Sequence, residues 1–157
     1  DSYQTLKRLQ PDFVDLIYID PPFFANRVFE VEKKSGKTIS FDDTWSNDIG
    51  NYLNYMKKIF TECKRVLKNT GSIYVHCDWH ASHYLKITMD EIFGYKNFQN
   101  EIVWRRHNSH NDTKQGSKHF GRVHDTILFY SKSKNSLING SLASVKLFQA
   151  SSPESNM

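Results

Sequence analysis

The sequence predicts an α/β fold with a mostly parallel sheet, and three observations carry that expectation. Residues 14–19, Val-Asp-Leu-Ile-Tyr-Ile, form an apolar run rich in β-branched side chains, the composition of a strand covered on both faces. Between residues 48 and 67, Ile49, Tyr52, Leu53, Met56, Ile59, Phe60, Cys63, Val66 and Leu67 fall on an i, i+3, i+4, i+7 stripe, the pattern of an amphipathic helix. Strand-type and helix-type runs alternate along the chain, which argues for a sheet crossed by helices.

Taken in order, Tyr3, Leu6 and Leu9 predict a short first helix over residues 2–9, ahead of the apolar strand. Residues 24–47 are polar, with Gly36 among lysines, and predict a long loop with no core-forming pattern. The helix over 48–67 is expected to stop at Asn69-Thr70-Gly71, the glycine being tolerated where φ turns positive. A strand over 72–77, a helix over 80–93 ending at Gly94, and strands over 100–105 and 123–131 complete the pattern. The serines and asparagines from Ser133 onward predict loop or disorder.

Composition sets the class but not the chemistry. With 157 residues, 38% hydrophobic and 14% aromatic, the chain has enough apolar material for one core. A formal charge of +4 is compatible with a polyanionic partner. Cys63 and Cys77 have neither metal nor redox spacing, so a reduced, cytoplasmic compartment is expected. No apolar run reaches the length of a membrane span and no signal-peptide pattern opens the chain, so no membrane partner is expected.

The chemistry-bearing feature lies at the carboxyl end of the first predicted strand: Asp20-Pro21-Pro22-Phe23. In open α/β sheets that edge is where ligands bind. The prolines fix φ and remove two backbone donors, and Asp20, preceding a proline, is pushed towards extended backbone. The turn therefore offers acceptors beside an aromatic face, which suits a planar ring carrying an exocyclic amino group. A plain proline turn after a core strand is the competing reading.

Asp20-Pro21-Pro22-Phe23 resembles the catalytic motif of amino-group DNA methyltransferases, the adenine-N6 and cytosine-N4 family. The stretches Phe41-Asp42-Asp43-Thr44-Trp45, Arg65 to His76, Asn100-Glu101-Ile102-Val103-Trp104 and His124 to Tyr130 follow in the order of that family's permuted β class, in which the catalytic motif comes first. The resemblance covers the chain from Asp1 to about Lys134. It implies a Rossmann-like methyltransferase fold and S-adenosyl-L-methionine as cofactor. It also implies double-stranded DNA as partner and a restriction endonuclease counterpart. Residues 1–134 would be a catalytic subdomain, and 135–157 a tail or the start of a target-recognition region. By the same resemblance Asp20 and the Pro21 carbonyl accept the two amino hydrogens, Phe23 stacks on a flipped base, and Asp20 borders the cofactor. The family often has tyrosine where Phe23 stands. An acidic first position is typical of its adenine enzymes and serine of its cytosine-N4 enzymes, so adenine is favoured, with cytosine N4 as the alternative.

Other residues invite readings of their own. The basic stretch holding Arg105, Arg106, Lys114, Lys118 and Arg122 joins two predicted strands and would suit DNA phosphates, against the alternative of a solvated loop. His124 and Asp125 open the next strand, as base-proximal residues or as turn hydrogen-bonding groups. His76, Asp78, His80 and His83 are metal-type ligands but match no zinc signature, and no metal is expected. Trp45, Trp79 and Trp104 read as anchors. None of the seven glycines forms a Gly-x-Gly turn after a strand, so the cofactor site is expected to be incomplete and the chain to be the catalytic half of a longer protein. An incomplete sheet would expose an apolar edge, and a homo-oligomer is one outcome of that. A DNA-binding or complementing module without activity of its own is the alternative from another class. An RNA or protein methyltransferase is disfavoured by Asp20, because related families begin this motif with asparagine.

Overall fold

The computed structural model describes residues 2–25, 28–32, 38–106, 118 and 120–135. Helix α1 (Ser2–Arg8) precedes strand β1 (Val14–Ile19), a hairpin of β2 (Val28–Glu32) and β3 (Thr38–Asp42), helix α2 (Ile49–Val66) and strand β4 (Leu67–Cys77). Helix α3 (Ser82–Phe93), β5 (Phe98–Arg105) and β6 (His124–Ser131) follow. The main sheet has the order β1-β4-β6-β5.

The α/β architecture agrees with the sequence pattern, and three of the four strands of the main sheet run in one direction, as expected of a mostly parallel sheet with one reversed strand. β1 pairs parallel to β4, whereas β4–β6 and β5–β6 are antiparallel. β6 alone runs against the other three strands. The carboxyl ends of β1, β4 and β5 and the amino end of β6 therefore share one edge, and Asp20, Arg105, His124 and Asp125 lie there.

Helix α2 forms because its stripe buries Tyr52, Met56, Ile59, Phe60, Cys63 and Val66 against the sheet, and the Asp48 side chain accepts from Gly50 N at 2.7 Å to cap its first turn. Arg65, in its last turn, donates to the carbonyls of Leu6 and Leu9, satisfying the end of α1. The core is completed by Ile73, Val75, Cys77, Leu85, Met89, Phe93, Leu128 and Tyr130. The Tyr130 hydroxyl donates to Asp90 at 2.6 Å and ties β6 to α3.

Three local expectations are corrected. The stretch expected to be loop contains the β2–β3 hairpin, in register Val28↔Asp42 to Glu32↔Thr38; in sequence, residues 29–32 and 38–42 alternate apolar and polar, the period of a strand. α2 ends at Val66, the backbone of Leu67 is already extended, and Asn69-Thr70-Gly71 belong to β4. Gly94, with φ 93°, is the one described glycine at positive φ. Gly71 is needed for closeness instead: a Cβ there would stand 3.0 Å from the carbonyl oxygens of Asp15 and Lys68 and from Leu67 Cδ2, where the β1–β4 register shifts. Finally, β1 is an edge strand, with Ile17 and Ile19 against the core and Leu16 and Tyr18 exposed at 58% and 54%. It is not covered on both faces.

Candidate active site

The backbone after β1 carries Asp20 into solvent while the rest of the turn is fastened down. The Asp20 side chain is 62% exposed, Pro21 is buried and Phe23 half-buried. Asp43, 4% exposed, accepts from Phe24 N at 3.2 Å, Ala25 N at 2.7 Å and Trp45 Nε1 at 2.7 Å. The hairpin makes this clamp, because its base brings residue 43 back beside residues 24 and 25. Phe24 has φ 59°, a left-handed conformation that costs a non-glycine residue about 1–2 kcal/mol. The charge-assisted bonds to Asp43 offset that cost. On the other side, Tyr52 of α2 donates its hydroxyl to the Pro22 carbonyl at 2.8 Å. Burial first, and then the negative charges and thiol around it, raise the Tyr52 phenol far above its usual range, so it remains a donor.

Trp45 packs edge-on against Tyr52 at 5.3 Å and tilted against Tyr55 at 5.2 Å, an anchor of the loop as its sequence context suggested. The Tyr18 phenol is raised by desolvation and, secondarily, by the charge of Asp20.

The sheet edge brings His76 to this turn. Its Nδ1 lies 3.7 Å from Asp20 Oδ1, its Nε2 3.4 Å from Asp125 Oδ2, and the Phe23 ring meets its ring edge-on at 5.6 Å. Asp125 is buried and also accepts from Arg106 Nη1 at 3.2 Å, so it stands behind His76 within a hydrogen-bonded network. His124 is exposed.

The other metal-type residues go elsewhere. Asp78 accepts from His80 N and pairs with His80 Nδ1 at 2.7 Å, and His83 is exposed. Among the described residues no three His, Cys, Asp or Glu groups converge to hold a metal ion. Of the basic residues, Arg105 and Lys118 are exposed, and Arg122 stacks its guanidinium on Trp79 at 3.8 Å. Lys114 and the tail from residue 136 lie outside the described residues.

Asp43, Tyr52 and His76 are the site residues that sequence reasoning missed. Tyr52 reads as part of the apolar stripe, and His76 reads as one of a local His/Asp cluster. For Asp43 a signal existed in the Phe41–Trp45 segment, although nothing in it indicates which aspartate turns inward.

The arrangement is a fixed turn that projects a carboxylate and an aromatic ring at a sheet edge. The family model described as DNA methylase, of the N6/N4 type, matches residues 14–155. The chain belongs to the N6/N4 DNA methylase family. Among similar proteins, the type II methyltransferase M.HinfI of Haemophilus influenzae is 30% identical over 137 residues, 85% of this chain and 37% of the relative. The DNA adenine methyltransferase YhdJ of Escherichia coli is 28% identical over 89% of this chain and 42% of its own length. The chain thus spans about two fifths of these relatives. In fold it is similar to TTHA0409 of Thermus thermophilus complexed with S-adenosyl-L-methionine, with a TM-score of 0.59, 13% identity, and 88% and 53% of the two chains covered. It is also similar to the PvuII DNA methyltransferase, described as cytosine-N4-specific, with a TM-score of 0.56, 17% identity, and 87% and 48% covered.

Proposed function

We propose that this chain is the catalytic portion of an enzyme that methylates adenine N6 in double-stranded DNA, with S-adenosyl-L-methionine as donor. The observation that carries the reading is the exposed Asp20 carboxylate on a turn locked by Asp43 and Tyr52. An exocyclic amine is a poor nucleophile while its lone pair is conjugated into the ring. Acceptors for both amino hydrogens favour the tetrahedral nitrogen, and fixed acceptors need no reorganisation at the moment of reaction. Asp20 supplies one. By the family resemblance the Pro21 carbonyl supplies the second, and the Tyr52 hydroxyl holds the adjoining Pro22 carbonyl in place. Phe23, braced at its edge by His76, offers a face for the flipped base, where stacking contributes roughly 1–3 kcal/mol.

The donor set fits one end of the cofactor: a carboxylate and aromatic rings suit a sulfonium cation, and no described residue forms the Gly-rich turn that would hold its remainder. When bound, the cofactor supplies an electrophilic methyl group. Arg105 and Arg106, at the end of β5, and Arg122, ahead of β6, lie at the same edge as Asp20 and support a DNA path across it. Residues 1–134 form the catalytic subdomain in this reading, acting in the cytoplasm beside a restriction endonuclease counterpart.

Adenine is favoured over cytosine N4 by the acidic first position of the turn. The test is nucleoside analysis of duplex DNA after incubation of the full-length protein with labelled cofactor. The expected product is N6-methyladenine. Recovery of N4-methylcytosine would transfer the reading to cytosine, and an absence of DNA methylation would favour a complementing module.

A further inference from the structure

We propose that His76 is a positioning residue that relays a proton away from Asp20, with Asp125 and Arg106 setting its orientation. This rests on the methyl-transfer reading above and adds the route by which the amine nitrogen loses its proton.

His76 is wedged between two carboxylates, with its side chain 17% exposed. A neutral imidazole has one N–H and one bare nitrogen. An ionised carboxylate only accepts, so Asp125, buried and charge-compensated by Arg106, selects the tautomer whose Nε2–H points at it. That choice leaves the Nδ1 lone pair facing Asp20 Oδ1. Two acceptors cannot hydrogen-bond, and their separation of 3.7 Å is longer than a hydrogen bond. A proton arriving on Asp20 turns this mismatch into a donor–acceptor pair. The rings of Tyr18 at 6.4 Å and Phe23 at 5.6 Å also meet it edge-on and restrict ring rotation.

The step balances as a proton transfer with no redox change. The methylated amine nitrogen carries one proton too many. Its N–H bond breaks as an O–H bond forms on Asp20; that bond breaks in turn as an N–H bond forms on His76 Nδ1. Asp20 recovers its negative charge, and the resulting imidazolium lies between two carboxylates until it releases a proton to water.

Two measurements test this. Long-range 1H–15N spectra of the chain should show neutral His76 as the Nε2–H tautomer, with the Nδ1–H form appearing in Asp125→Asn. A wild-type ring with Nδ1–H facing Asp20, or a tautomer indifferent to Asp125→Asn, would overturn the relay without touching the methyl-transfer reading. In the full-length protein, His76→Ala should slow single-turnover methylation about 10²-fold. Added imidazole should restore part of the loss, whereas His76→Gln, which packs and hydrogen-bonds but cannot take up and release a proton, should stay slow. Normal rates in both variants, or a loss that imidazole leaves untouched, would reduce His76 to a structural role. A wild-type protein that methylates no DNA would instead remove the functional reading itself.

Discussion

Replacing Asp43 by asparagine isolates the clamp on the catalytic turn from every group expected to touch substrate. The two Asp43 oxygens serve three donors: Oδ1 accepts from Phe24 N and Trp45 Nε1, and Oδ2 accepts from Ala25 N. An amide has one carbonyl oxygen. If that oxygen takes the Oδ1 position, the amino group faces the Ala25 N–H, donor against donor; if it flips, two bonds are lost. Hydrogen bonds to charged groups contribute about 1.5–3 kcal/mol each, so Asp43→Asn, which loses one, should cost about 2 kcal/mol and Asp43→Ala, which loses three, about 5 kcal/mol or more. Relative to a typical domain stability of about 5–15 kcal/mol, both losses are large. Phe24 would then relax from its left-handed conformation, carrying Phe23 with it. Urea unfolding of the chain, followed by far-ultraviolet circular dichroism, should show a lower midpoint at unchanged slope. An Asp43→Asn protein within about 0.5 kcal/mol of wild type, the range of neutral surface changes, would refute the clamp.

Three further outcomes follow from the packing. Tyr52→Phe removes the single bond to the Pro22 carbonyl from an otherwise buried ring, and should cost about 1 kcal/mol by the same unfolding assay while lowering the single-turnover rate more than the affinity for cofactor. Gly71→Ala should destabilise by about 1–3 kcal/mol, because two of the three atoms its Cβ would meet at 3.0 Å are backbone carbonyls that cannot move aside; a neutral result would disprove the close approach of β1 and β4. Burial first, and then nearby acidic groups, push the Cys63 and Cys77 thiols up to about 12. The unfolded chain therefore loses these protons from about pH 9 while the folded chain keeps them. The stability they confer is complete below pH 9 and declines by up to about 1.4 kcal/mol per pH unit per thiol towards pH 12, as pH-dependent urea titration should show. Native-state alkylation at pH 8 should leave both thiols unmodified.

What the sequence revealed depended on how local the physics was. α2 was readable because nine apolar residues repeat at helical spacing, and the turn after β1 because two prolines and a strand fix its surroundings within a few residues. The β2–β3 hairpin was missed because its alternation is short and flanked by lysines and glycine. The antiparallel placement of β6 depends on long-range pairing that no local pattern encodes. Leu16 and Tyr18 look like core residues in a linear reading; their exposure follows from β1 lying at a sheet edge. His76 is the clearest case at the site. Its neighbours in sequence, Asp78 and His80, pair with each other, while its partners Asp20 and Asp125 arrive from β1 and β6.

The most direct test of the account is the single-turnover rate of methyl transfer to duplex DNA by the full-length protein carrying Asp20→Ala. If the exposed carboxylate on the locked turn accepts an amino hydrogen in the transition state, the rate should fall by about 10²–10³-fold while the unfolding midpoint stays close to wild type. A rate within a few-fold of wild type would contradict the assignment of this turn as the reacting centre.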